Sequence, residues 1–357
     1  MSIKKIITTT FLFLTVSILL AQQYPEVKIS GSETRMLTST IIDGQEYELQ
    51  IQLPSDYKTS DKTYPVVYLM DSQWDFPLVS AIYGQQYYDG FVPGFILVGV
   101  TWANGEVLRG RDYTPSANGV GGADLFLDFM QKELFPFIEK NYRVDATNKT
   151  LMGCSLGGLF TMYTLLTHTD MFTGYVAASP YLAGLNKEKL FKMEETFSQK
   201  QLSNPLHVYM TVGDVETARP LFEQFAKKME DSDYKNVRLH SKVLENTGHS
   251  GTKSETYSRG LQFVFERNKL KLDNAILNKY VGTYQTDNGN KLQIVNEDNA
   301  LYLMLSPTDK LPLFANTENH FYGTFQFFNM YFKETDGKVE GFDLKTYESE
   351  QTLKKVN

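Results

Sequence analysis

The stretch of the chain richest in chemistry is Leu151-Met152-Gly153-Cys154-Ser155-Leu156-Gly157-Gly158, a Gly-x-Ser-x-Gly pentad between a short apolar run and a helix-like segment. That order is what a nucleophile elbow requires. A serine at its centre sits on a tight, strained turn and projects its hydroxyl clear of a sheet. The flanking glycines admit the strain and let neighbouring chain come close. The first amides of the following helix, starting with that of Leu156, can stabilise a developing oxyanion. Cys154 is the rival nucleophile, but it lacks a glycine on both sides and reads as a buried packing residue.

A serine hydroxyl attacks well only when a base within hydrogen-bond reach takes its proton. Of the 5 histidines, His207 and His240 lie in strand patterns, His168 closes the helix after the pentad, and His320 lies in a β-rich tail. His249 stands in the turn-rich loop Asn246-Thr247-Gly248-His249-Ser250-Gly251, between the strand pattern 237–244 and a final helix pattern. This is where a Ser…acid…His chain order needs its base. The acid belongs between the two, at a strand end. The run 206–212 ends in Gly213-Asp214-Val215-Glu216 and so offers two carboxylates. Glu216, farther out and longer, is favoured to reach His249. Asp214 is the alternative acid, or else a cap for a turn or for the helix pattern 219–231. The chosen carboxylate would fix the imidazole tautomer and stabilise the imidazolium without taking the proton itself.

These groups need a rigid support, and residues 23–267 supply its pattern. Residues 47–53 alternate apolar and polar like a half-buried strand. Residues 66–70, 94–100, 151–152 and 206–212 are short apolar runs of the kind buried on both faces. Helix patterns at 124–141, 156–167, 219–231 and 253–266 alternate with them. The alternation implies an α/β fold: a mostly parallel sheet with helices on both faces. Segments 75–91 and 180–204 read as loops that would shape a pocket. After Leu272 the rhythm changes to hairpins, 291–295 with 301–305 and 325–333 with 339–344, the latter around Thr335-Asp336-Gly337-Lys338. The expected organisation is an export signal at 1–21, a catalytic domain at 22–268, a polar linker at 269–278 and a small all-β domain at 279–357. Aromatics of the tail (Tyr322, Phe325, Phe327, Phe328, Tyr331, Phe332) suit a barrel core better than a binding face, and the tail is expected to pack on the catalytic domain, cover it as a lid, or touch carbohydrate.

Composition excludes several classes. The 357 residues carry a net charge of −7 and no run of Lys or Arg, so a nucleic-acid partner is not expected. The single cysteine rules out an internal disulfide framework and a Cys-rich metal site. Lys4 and Lys5, the apolar stretch 11–20 and small Ala21 make the export signal, too short for the ~20 apolar residues of a span. The expectation is an exported chain, periplasmic or secreted, free of the membrane after cleavage. Oligomeric state is not legible.

The elbow, the strand Val66-Val67-Tyr68-Leu69-Met70-Asp71 and the stretch Arg111-Asp112-Tyr113-Thr114-Pro115 together resemble the putative-esterase family of α/β hydrolases. That family includes esterase D, feruloyl and acetyl-xylan esterases, siderophore esterases and mycolyltransferases. The resemblance covers roughly residues 27–266, and the tail is similar to a small β-barrel-like domain found behind serine hydrolases. It implies Ser155 as nucleophile, His249 as base and Glu216 as acid, in a Gly-x-x-Glu pattern starting at Gly213. It further implies an oxyanion hole made by the amides of Leu156 and Gln73, the latter in the turn Asp71-Ser72-Gln73, where many relatives carry Gly instead of Ser72. The implied reaction is hydrolysis of a small-molecule or carbohydrate ester through an acyl-enzyme, with no metal or organic cofactor. An acyltransferase on the same residues and a binding protein that keeps the fold without turnover are the rivals. Arg109 and Arg111 are candidates to line the substrate side, with an ion pair to Asp112 as the plainer role. Trp74, Trp102 and Tyr113 are candidates to stack on a substrate ring, with a wall role as the alternative.

Overall fold

An eight-stranded sheet carries the first domain of the computed structural model, which describes residues 28–116, 121–185, 187–324, 328–346 and 349–356. The expected export signal at 1–21 and the aromatics Phe325 and Phe327 lie outside the described residues. The strands are β1 (Ser32–Thr38), β2 (Glu46–Gln52), β3 (Tyr64–Met70), β4 (Ile96–Trp102), β5 (Val144–Cys154), β6 (Gly174–Ala178), β7 (Leu206–Gly213) and β8 (Val237–Leu244). Their spatial order is β1-β2-β4-β3-β5-β6-β7-β8. β2 pairs antiparallel with β1 and β4, and every pairing from β4 to β8 is parallel. Successive side chains of β3 feed opposite faces, as a strand demands. Val66, Tyr68 and Met70 join one apolar cluster, and Val67 and Leu69 join the other. Burial on both faces explains why β3, β4 and β7 read as continuous apolar runs. This is the two-sided, mostly parallel sheet that the sequence pattern implied, and the α/β-hydrolase fold that the family resemblance implied.

Among the described residues, eight helices clothe the sheet: α1 (Ser72–Tyr88), α2 (Arg109–Asp112), α3 (Ala123–Phe129), α4 (Phe135–Asn141), α5 (Leu156–Thr167), α6 (Lys187–Ser198), α7 (Arg219–Asp231) and α8 (Thr252–Val264). The single helix expected over 124–141 is interrupted by a π-helical turn at Met130–Leu134. Two expected loops are largely helical. Segment 75–91 falls mostly in α1, whose apolar residues form no one-sided stripe and which holds Pro77 near its start. Segment 180–204 holds a 3-10 turn at Leu182–Leu185 and then α6.

The tail forms a closed barrel of β9 (Gly282–Thr286), β10 (Lys291–Glu297), β11 (Ala300–Met304), β12 (Lys310–Ala315), β13 (His320–Gly323), β14 (Phe328–Thr335), β15 (Lys338–Thr346) and β16 (Glu350–Lys355), with β16 pairing back onto β9. Two of its hairpins turn through paired left-handed residues, Asp298–Asn299 (φ 52° and 61°) and Asp336–Gly337 (φ 49° and 76°), the two-residue geometry that matches strand twist. Tyr280, Tyr284, Phe321, Phe332 and Phe342 fill the interior in tilted and edge-on contacts. Tyr322, Phe328 and Phe332 are buried, while Tyr331 is 41% exposed.

The segment 269–278 is more than the linker its polar composition suggested. Leu270 bridges to Ala315 of β12. Helix α9 (Asn274–Tyr280) then sets Leu277 and Tyr280 into the barrel core. The barrel docks at the carboxyl ends of α1 and α8: Arg267, just past α8, donates to the Gly90 carbonyl (2.6 Å) beyond α1 and to Asn329 Oδ1 (2.9 Å) of β14. Ser155, Glu216 and His249 follow the carboxyl ends of β5, β7 and β8, at the opposite end of α8. The barrel therefore packs beneath the catalytic domain, and the lid role is not what its position gives.

Candidate active site

Ser155 joins β5 to α5 with φ 60° and ψ −115°, a backbone that a side-chain-bearing residue adopts only when its surroundings enforce it. The enforcement is local. The Ser155 amide donates to Ala178 O (3.0 Å), and its carbonyl accepts from Leu159 N (2.8 Å) and Tyr181 N (3.0 Å). A Cβ on Gly153 would lie 2.7 Å from the Gly157 carbonyl carbon, so the turn closes only with glycine there. Cys154 is 2% exposed, and burial pushes its thiol up to about 12, so it stays protonated and inert beside the serine.

His249 Nδ1 lies 2.6 Å from Glu216 Oε2. The other carboxylate oxygen accepts from Ser179 Oγ (2.5 Å) and from the Gly213 amide (2.8 Å). Burial works to raise the Glu216 carboxyl, but the Ser179 hydroxyl, His249 and the Gly213 amide outweigh it and hold it below the ordinary carboxylate range. The His249 side chain is 49% exposed. Its Nε2 has no protein partner among the described residues and makes no hydrogen bond to Ser155, a bond that often tightens only when substrate is bound.

Asp214, the alternative acid, is used otherwise. Its two oxygens accept from the amides of Asn246 and Thr247 at 3.0 Å each, which holds its carboxyl low and ties the histidine loop to the end of β7. The loop runs so close that a Cβ on Gly213 would fall 2.0 Å from Thr247 O. Asp214 thus anchors the loop backbone, and Glu216 meets the imidazole.

The amides of Gln73 and Leu156 are first-turn amides of α1 and α5, and among the described residues neither has an acceptor. Ser72 needs no glycine, because the left-handed residue of this turn is Asp71 (φ 57°, ψ 37°). The Gln73 carboxamide is buried with neither polar atom partnered among the described residues.

The five candidate substrate contacts separate. Arg109 grips buried Asp71 (Nε–Oδ1 3.0 Å, Nη2–Oδ2 2.8 Å), lies 3.4 Å from the Cys154 carbonyl and sits 5.3 Å from the Trp74 ring centroid. Trp74 is 53% exposed and free to meet a ligand. Arg111 takes the plainer role, bound to Asp112 Oδ1 (2.5 Å) and to Tyr47 Oη (3.3 Å). Trp102 and Tyr113 do not read substrate. They are 3% and 0% exposed, Trp102 Nε1 donates to Asp112 Oδ2 (2.7 Å), and Tyr113 Oη accepts from the Asp71 amide (3.2 Å). An indole or phenol sealed on every side has no face left for a ring. The sequence reading missed Ser179 and Thr252, whose hydroxyls lie 2.9 Å apart behind Glu216. Their only sequence signal is position, one after a strand end and one after the histidine loop.

The profile of the family described as "Putative esterase" matches residues 39–264. The chain belongs to this esterase family. It is a carboxylic ester hydrolase, and the barrel lies beyond the matched region. The esterase is 30% identical over 268 residues to ferri-bacillibactin esterase BesA of Bacillus subtilis, which covers 66% of the chain and 90% of that relative. It is 29% identical over 265 residues to the siderophore triacetylfusarinine C esterase of Aspergillus fumigatus, covering 62% and 90%. The solved structure of BES protein from Bacillus cereus superimposes with a TM-score of 0.61 at 26% identity, over 68% of this chain and 97% of that one. Among the described residues, no helix is long and apolar enough to cross a membrane.

Proposed function

We propose that the esterase is exported and cleaves ester bonds of siderophores through an acyl-enzyme on Ser155. The observation that carries the mechanism is the 2.6 Å contact between His249 Nδ1 and Glu216 Oε2, which leaves Nε2 without a partner among the described residues and so able to serve as the base for the strained serine. Ser155 Oγ attacks the ester carbonyl carbon while His249 Nε2 takes its proton. The carbonyl oxygen, now anionic, is held by the amides of Gln73 and Leu156. As the intermediate collapses, the C–O bond breaks and the leaving alkoxide takes the proton from His249. Water then attacks the acyl carbonyl, again through His249, and releases the acid and the free serine. Glu216 keeps the imidazole in the tautomer with Nδ1–H and stabilises the imidazolium.

The siderophore substrate rests on the relatives, two of which are named for such esters. Exposed Trp74 and Tyr181 give the site aromatic surface at its rim, suited to flat acyl groups. Export rests on the pattern of Lys4, Lys5, the apolar stretch 11–20 and Ala21. The test compares wild type and Ser155→Ala on p-nitrophenyl acetate, ferri-bacillibactin, triacetylfusarinine C, a feruloyl ester and an acetylated sugar. Hydrolysis by wild type that favours the siderophores and disappears in the variant is expected. Undiminished hydrolysis by Ser155→Ala sinks the mechanism, and preference for the sugar or feruloyl ester sinks the substrate. Product analysis with added acceptor alcohols separates hydrolysis from acyl transfer, and a mature N-terminus at Gln22 checks export.

A further inference from the structure

Between the catalytic domain and the barrel lies a cleft of about 390 Å³, at the end of α8 remote from the active site. Its chemistry is unusual for a chain of net charge −7. Arg238, Arg259, Arg267 and Lys269 line it, against the single carboxylate of Glu266. Glu266 is already shared: it bonds Arg238 and lies 3.9 Å from Lys269. Arg259 donates to the neutral Gln262 side chain (2.9 Å). Arg267 donates to Asn329 Oδ1 and to the carbonyls of Gly90 and Gly323, neutral acceptors that leave part of its five-donor fork unused. Among the described residues, neither arginine makes an ion pair with a carboxylate, and Glu255, one turn before Arg259 on α8, pairs with Lys242. Burial lowers the Arg267 guanidinium to about 10, the mark of a cation whose lost hydration is not made good.

The walls are aromatic. The Tyr209 and His240 rings stack at 5.0 Å, and Phe263 tilts against both. The Arg238 guanidinium sits 4.0 Å over Phe263 and that of Arg267 3.5 Å over Tyr322 of the barrel. Forked cations that want an anion, set among ring faces, suit a flat ring carrying a carboxylate: the fork takes the two oxygens and the rings take the flat body. The volume lies in the range of small-ligand sites.

We propose that this cleft is a second binding site, for a small aromatic carboxylate bridging the two domains. The proposal does not rest on the siderophore reading. Gln262, at the cleft, is ten residues along α8 from Thr252, or roughly 15 Å at 1.5 Å per residue, so its ligand leaves the catalytic centre free. The bound carboxylate supplies the counter-charge that Arg259 and Arg267 lack and ties Tyr322 to α8.

The test is isothermal titration of the full chain with benzoate and ferulate, against benzamide, cyclohexanecarboxylate and inorganic phosphate. The two aromatic carboxylates bind one per chain, and each control binds about tenfold more weakly, benzamide because it lacks the charge and cyclohexanecarboxylate and phosphate because they lack the flat ring. Arg259→Gln weakens benzoate by a similar factor without changing turnover of p-nitrophenyl acetate. Arg267→Gln does the same, and if it loosens the seam then Arg259→Gln, on the exposed helix face, still decides. Binding is unchanged in Ser155→Ala and in enzyme blocked with a fluorophosphonate. Absence of saturable binding, loss of binding in the blocked enzyme, or phosphate binding as tightly as benzoate each overturns the proposal.

Discussion

Asp71 and Arg109 form a two-bond ion pair directly beneath the elbow. The carboxylate is 1% exposed, and Asp71 Oδ2 would lie 3.0 Å from a Cβ on Gly157. The same guanidinium lies 3.4 Å from the Cys154 carbonyl, so Arg109 braces the residue before Ser155 and the residue before the Ser72–Gln73 turn together.

Arg109→Gln leaves a buried carboxylate without its cation and is expected to cost about 3 kcal/mol. Burial raises the Asp71 carboxyl, with Arg109 opposing it, so removing the arginine raises the folded-state value further. A carboxyl whose folded value lies above its unfolded one weakens the fold as pH rises between the two. The deficit of the variant is therefore larger at pH 8 than at pH 5, measured by urea midpoints. An equal deficit at both pH values shows that the pair does not carry the effect.

Glu216 shifts the other way. Its folded value lies below the unfolded one of about 4.3, so its contribution is present above that value and fades as pH falls through the folded one. Glu216→Gln should lower kcat by about ten-thousandfold with KM little changed, as loss of the imidazole's orienting charge does. The stability difference from wild type should shrink from pH 7 to pH 3. Asp214→Asn, by contrast, loosens the histidine loop and is expected to show a larger effect on KM.

Ser179 and Thr252 hold two hydroxyl protons for three contacts: Ser179 to Glu216, Thr252 to the His249 carbonyl (2.8 Å), and the 2.9 Å contact between them. One contact is always short of a proton, and the demand of the Glu216 charge settles it in favour of the carboxylate. Ser179→Ala should therefore lower kcat about tenfold while leaving KM alone. Thr252→Val, which spares the Ser179 bond to Glu216, should cost less. Equal losses in the two variants would show that the carboxylate contact has no special weight.

Gly213 is where the acid loop and the base loop touch. Gly213→Ala places a methyl against Thr247 O and must push the histidine loop outward. Circular dichroism should be unchanged, because the strand is intact, while kcat/KM falls by about a hundredfold from a displacement of roughly an ångström. Wild-type activity in this variant would mean that the loop adjusts without moving His249.

The chemistry of the site was more legible in the sequence than its surroundings. Ser155 is marked by a turn that only Gly153 allows, and His249 by a loop rich in turn residues; both are local signals. α5 and α7 begin and end where their apolar periodicity does. α1 was hidden because its buried side chains face both the sheet and α8, so no stripe marks it. Trp102 and Tyr113 lie close to site residues in the chain, yet their burial comes from Asp112, Phe126 and Phe160, partners that only the fold brings together. The role of Asp214 was undecidable for the same reason, since its amide partners come from a loop 32 and 33 residues on.

Placement of the barrel beneath the sheet makes a final prediction. A chain ending at Asn268 loses the Arg267–Asn329 contact and the Tyr322 ring over which Arg267 sits, so the guanidinium gains water in exchange. Apolar surface around Tyr209 and Phe263 changes less, because those rings pack against His240 within the catalytic domain. The melting temperature should fall by a few degrees, as loss of an interdomain seam of this kind gives. Turnover of p-nitrophenyl acetate should stay within about twofold, since Ser155, His249 and Glu216 lie at the other end of α8. A large loss of turnover with the melting temperature preserved would show that the barrel reaches the active site after all.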